Sequence, residues 1–118
     1  MKLNEHGVDL SYAEVIGMYI ADIEATVSRF DLDFEKFLAD IDARNSIAMS
    51  IQQIGEASSK LSEAFKTKHS NMPWAEIKAF RNRIAHAYDG LDMEVMWDIV
   101  EHDIPKLKTF VEERLGDV

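Results

Sequence analysis

Apolar residues recur along most of this chain at steps of three and four, a spacing that admits little besides packed α-helices. Tyr12, Ile16, Ile20, Ile23, Val27 and Phe30 form one such stripe, because residues three and four apart share a face of a helix that turns about 100° per residue. Ile47, Ile51, Ile54, Ser58, Leu61 and Phe65 form a second, and Met93, Met96, Val100, Ile104, Leu107 and Val111 a third. No run alternates apolar and polar residues as a half-buried strand does.

The boundaries between helices are read from caps and breakers. Ser11 and Glu14 stand three apart, as in a capping box, so the first helix is expected to open at Ser11. Residues 34–39 read as a short helix whose Phe34, Phe37 and Leu38 close one end of the core. The second stripe predicts one long helix from about Asp42 to Lys68, in which Gly55 would let a neighbouring helix approach closely. Pro73 suits the start of the next helix, which passes Trp74, Ile77, Phe80 and Ile84 and stops at Gly90. Asp92 is placed to cap the last helix. Pro105 lies inside that helix and should kink or split it near His102, since proline removes a hydrogen bond and crowds the preceding turn. The expected fold is all-α: an up-and-down four-helix bundle with one extra short helix, in a single domain spanning 1–118.

With 118 residues, 47% of them hydrophobic and 30% charged, the chain has the balance of one soluble domain with one core. No apolar run reaches the length of about 18 residues that a bilayer requires, and no leader is evident, so the expected location is the cytoplasm. The chain has no cysteine, which removes thiolate chemistry, disulfides and the usual structural zinc sites. His6, His69, His86 and His102 are scattered without metal-ligand spacing, so no metal site is expected.

The net charge of -9 argues against a protein that coats nucleic acid. The charge is unevenly spread, however. Residues 60–86 hold six basic and two acidic side chains, against four basic and eleven acidic in residues 1–59. Lys66, Lys68, Lys78 and Arg83 belong to this basic island and are candidate contacts to a polyanion such as RNA. A solvated helix face would account for them as well.

Within the island, Arg81, Asn82, His86 and Tyr88 bring ionisable and hydrogen-bonding groups to one helix end. Histidine can take a proton from a ribose 2′-hydroxyl or give one to a departing 5′-oxygen near neutral pH. Arginine can hold phosphate oxygens and stabilise the charge that grows on them. Asn82 can orient the imidazole or the phosphate. On spacing alone, plain structural roles carry more weight: an ion pair for Arg81, an exposed position for His86, a core ring for Tyr88. Five helical steps put His86 about 140° around the axis from Arg81, so the two converge only if the helix unwinds or a second copy supplies one of them.

The run Arg81-x-x-x-x-His86-x-Tyr88 resembles the R-x-x-x-x-H-x-Y signature of the HepT branch of HEPN-domain ribonuclease toxins. Ile54-Gly55-Glu56-Ala57 is similar to the branch's I-G-E-A element, Pro73-Trp74 to its P-W helix start, and Trp97 with Asp103 and Pro105 to its W-x-x-x-x-x-D-x-P helix. Residues 34–40 resemble its F-E-x-F-L-x-D stretch. The resemblance implies a homodimeric endoribonuclease that needs no metal or other cofactor, with Arg81 and His86 of both chains lining a cleft. It further implies a partner, a minimal nucleotidyltransferase antitoxin that transfers AMP to Tyr88. Ala87 departs from the glycine many relatives carry there, which restricts the backbone beside Tyr88. The competing expectation is a non-catalytic helical adaptor that dimerises and binds a nucleotidyltransferase.

Overall fold

The computed structural model describes residues 5–86 and 93–116, and every regular element among them is helical. The helices are α1 (Glu5–Arg29), α2 (Phe34–Ala39), α3 (Ile41–Ser59), α4 (Glu63–Lys68), α5 (Trp74–His86), α6 (Met93–Asp98) and α7 (Ile104–Gly116), with a π-helical turn, Ile99–Asp103, joining the last two. α1 packs against α3 and α7, α3 packs against α5, and α2 closes one end against α3 and α6. The three apolar stripes meet in one core in which Ile16, Ile20, Ile47, Ile54, Met96 and Leu107 are almost fully buried. At the α2 end Phe37 is wholly enclosed, its ring 5.0 Å from that of Trp97. No described helix is long and apolar enough to cross a membrane.

The expected bundle is present, with two corrections in its details. α1 does not open at Ser11: the chain is already helical at Glu5, the first described residue, and the Ser11 hydroxyl donates back to the Gly7 carbonyl at 3.2 Å instead of capping. The cause lies far away in sequence. Asp9, in the added turn, is 4% exposed and accepts hydrogen bonds from both the backbone N–H and the hydroxyl of Ser62, each at 2.8 Å.

The same contact accounts for the second correction, because the long helix predicted from Asp42 to Lys68 is broken at residues 60–62. Ser62 is extended there and caps α4, its hydroxyl accepting from the Phe65 N–H at 3.1 Å. Leu61 and Phe65 stay buried across the break, so the apolar periodicity continues where the helix does not. The bundle therefore carries a second short helix, α4, beside α2, apart from α6, which continues through the π turn into α7. Replacing Asp9 by Ala is expected to cost about 2 kcal/mol, since it leaves two part-buried donors of Ser62 unpaired; urea unfolding followed by circular dichroism measures it.

Pro105 does interrupt the last helix as expected: it is the second residue of α7, and the π turn Ile99–Asp103 separates α7 from α6. The π turn just before it widens the backbone where the missing N–H and the ring would otherwise strain the helix. The turn includes His102, where the sequence places the irregularity, but the chain remains helical throughout.

At its other end α1 closes with Asp31 at φ 48°, the left-handed region that glycine usually fills. The Leu32 N–H reaches the Val27 carbonyl and the Asp31 N–H the Ser28 carbonyl, which satisfies the carbonyls of the last turn. Gly90 and Asp92, proposed as stop and cap, lie outside the described residues.

Candidate active site

α5 carries the motif, and α3 is built to receive it. Ile77 anchors α5 in the core, beside Ile51 and Ile54 of α3 and Ile104 and Leu107 of α7. One turn further along, Arg81 crosses Gly55. A Cβ added to Gly55 would lie 2.6 Å from Arg81 Cβ, 2.9 Å from Cγ and 3.2 Å from Cδ. The missing side chain of Gly55 is therefore the space in which the aliphatic stem of Arg81 lies.

That packing leaves the Arg81 side chain 20% exposed and brings its guanidinium to two polar neighbours. Nη1 stands 3.6 Å from Oε1 of Glu56, and Nη2 donates to the Asn82 carboxamide oxygen at 2.9 Å. The ion pair anticipated as the plain structural role of Arg81 is thus present. It also orients the fork, because the residue after the close-contact glycine supplies the carboxylate. Gly55 and Glu56 act on Arg81 together: the glycine sets how near the stem lies, and the glutamate sets where the charge points.

The remaining candidates divide. Asn82 is exposed and bonded to Arg81, so among the described residues it orients the guanidinium. His86 is the last described residue of α5, and α5 runs unbroken from Trp74 to it. Position 86 therefore lies about 140° around the axis from position 81. Tyr88 and Ala87 fall outside the described residues, as do the side chains of Arg83 and His86. Lys66 and Lys78 line one groove together with Gly55, and Lys66 also pairs with Glu63 at 3.1 Å. Lys68 is exposed and does not line that groove.

Sequence reasoning credited Gly55 with a close helix approach but did not find that Arg81 is what approaches, nor the role of Glu56. The spacing held no signal for either, since 25 residues separate Glu56 from Arg81. Among the described residues no group of three or more His, Asp or Glu side chains converges as metal ligands would. His69, near the α5 start, has its pKa lowered, mainly by burial and further by Arg114 and Lys68. Its ring packs between those of Phe65 and Phe110, at 4.7 and 5.0 Å.

An all-α bundle that seats a paired arginine on a glycine, with a histidine five residues on along the same helix, has the layout of the HEPN-like helical domains. The chain belongs to the ribonuclease HepT-like family, which it matches over residues 16–114. It is 35% identical over 95 residues to a Thermococcus cleftensis protein named "Probable ribonuclease HepT", a match covering 76% of this chain and 86% of that one. Two further relatives carry provisional RNase names. One, from Methanocaldococcus jannaschii, is 37% identical over 70% of this chain and 75% of its own length. The other, from Caldanaerobacter subterraneus, is 34% identical over 71% of this chain and 75% of its own. No solved structure matched the chain.

Proposed function

We propose that this chain is the toxin of a type VII toxin–antitoxin pair, a metal-independent endoribonuclease whose centre is Arg81 and His86. The observation that carries the reading is the seating of Arg81: a motif arginine packed onto a glycine and oriented by Glu56 and Asn82. Family membership and the RNase names of the relatives support RNA as the substrate class.

In the proposed reaction a ribose 2′-oxygen attacks the adjacent phosphorus, the P–O5′ bond breaks, and the products carry a 2′,3′-cyclic phosphate and a 5′-hydroxyl. His86 takes the 2′-hydroxyl proton or delivers one to the leaving 5′-oxygen, since both imidazole states are accessible near neutral pH. Arg81 stabilises the charge that builds on the non-bridging oxygens. Because α5 is continuous, Arg81 and His86 of one chain diverge around its axis, which favours a homodimer in which each chain completes the other's site.

The test is incubation of the purified chain with total cellular RNA in EDTA, with the fragment ends mapped. Wild type is expected to leave cyclic phosphates and His86→Ala intact RNA. Intact RNA in both, with Tyr88 confirmed unmodified by mass spectrometry, would move the assignment to the adaptor.

Neutralisation is proposed to occur by AMP transfer to Tyr88 from a minimal nucleotidyltransferase encoded beside this chain. Phosphate added two residues beyond His86 would compete with substrate for Arg81. The chain has three tyrosines, Tyr12, Tyr19 and Tyr88. Incubation with that enzyme and ATP is expected to label the wild type and to leave Tyr88→Phe unlabelled, read by intact mass.

A further inference from the structure

The basic island folds partly into a groove between α3, α4 and α5 with a volume of about 390 Å³, within the range of small-ligand sites. Gly55 and Ser58 of α3, Glu63 and Lys66 of α4, and Trp74 and Lys78 of α5 line it. Gly55 belongs to both sites, since it lines the groove and also seats the Arg81 stem, so the groove adjoins the aliphatic part of that side chain.

Three features suit it to a nucleotide. Lys66 and Lys78 bring two cations to the groove from different helices, against the single carboxylate of Glu63, which pairs with Lys66. Trp74 is half-buried and its ring is fixed: the indole N–H donates to the His69 carbonyl at 3.0 Å, and the ring meets Phe110 edge-on at 5.7 Å. A fixed indole at a groove wall is a surface on which a base can stack. Ser58 is 5% exposed, and its buried hydroxyl has no hydrogen-bond partner among the described residues. A buried hydroxyl without a partner costs stability, and Ser58 is part of the groove wall.

We propose that this groove is the subsite for the RNA nucleotide next to the scissile phosphate, its own phosphate held by Lys66 and Lys78 and its base against Trp74. The proposal rests on the ribonuclease reading. It goes further in assigning which part of the strand lies where, and in separating Lys66 and Lys78 from Lys68, which is exposed on α4 outside the groove.

The test uses a short fluorescent RNA with every 2′-hydroxyl methylated, which binds without being cut, and follows its anisotropy with the purified full chain. Two phosphate contacts on a single strand contribute about 1.4 to the slope of log affinity against log salt. The Lys66→Gln/Lys78→Gln double variant is therefore expected to lose that slope and to bind about tenfold more weakly at physiological salt. Lys68→Gln should bind as wild type does. Trp74→Leu should weaken binding by at least about fivefold, with Trp74→Phe restoring most of it.

A double variant that matches Lys68→Gln in affinity and salt slope overturns the subsite. So does a wild type that binds no RNA. Groove-dependent binding by a chain that leaves unmodified RNA uncut keeps the groove as an RNA-binding site and overturns the ribonuclease reading, and with it the place beside a scissile phosphate, so the two failures are distinguishable.

Discussion

Mixing Arg81→Ala chains with His86→Ala chains is expected to restore RNA cleavage that neither variant shows alone. Each single variant should fall by about 10²–10⁴-fold, the range for removing a general acid–base group or a charge-stabilising donor. Rescue follows from the helix. α5 is helical from Trp74 to His86, which sets positions 81 and 86 about 140° apart around its axis, and in the proposed homodimer each chain supplies one of the two groups to a phosphate. In a symmetric pair a mixed dimer keeps one site with both groups intact and loses both from the other. Random exchange of subunits makes half the dimers mixed, so activity should recover to about a quarter of wild type. The measurement is the initial rate of RNA cleavage after co-refolding the two variants at equal concentration. No recovery, with dimers confirmed by light scattering, would place both groups of a site in one chain and require α5 to unwind on binding substrate.

Gly55→Ala is expected to reduce cleavage by about 100-fold while costing up to about 2 kcal/mol of stability. The added methyl would lie 2.6 Å from Arg81 Cβ. Cβ is fixed to the backbone of α5 and cannot swing aside as a side-chain tip would. Carbon atoms at rest stand about 3.5–4.0 Å apart, so α5 must retreat by about 1 Å. A displacement of that size at a reacting group costs about 10²-fold in rate.

The stability terms partly offset one another and leave a net cost of up to about 2 kcal/mol. Overpacking costs about 1–3 kcal/mol, and replacing a mid-helix glycine by alanine returns about 1 kcal/mol. Gly17→Ala is the matched control on α1, where the new methyl would meet Val111 Cγ1 at 3.2 Å, away from α5. It should leave cleavage near wild type. Full activity in Gly55→Ala would show that the seating of Arg81 does not position it for chemistry.

The helices were legible because their signals are local. The stripes at three and four predicted the buried faces of α1, α3 and α7, and Ile16, Ile47, Ile54 and Leu107 are indeed among the least exposed residues. Short-range polar signals were also readable in principle. Asp33, Asp40 and Ser62 each cap the helix that follows, accepting from the backbone N–H three residues on. Ser62 was overlooked because the apolar seam runs on through Leu61 and Phe65 as though the helix did. The candidate site was legible as a list of residues, from their chemistry and from the family's motifs, but not as an arrangement.

What the sequence by itself determined is the all-α class, the buried faces and the residues able to handle a phosphodiester, because each depends on residue type and on neighbours within a turn or two. Tertiary structure alone decided that α1 extends ahead of Ser11, where α3 ends and how Arg81 is held. Asp9 meets Ser62 across 53 residues, and Glu56 meets Arg81 across 25. No local pattern encodes such contacts. They exist only once the apolar faces have packed and brought distant polar groups within a few ångströms, where leaving them unpaired would cost more than bending the chain to pair them.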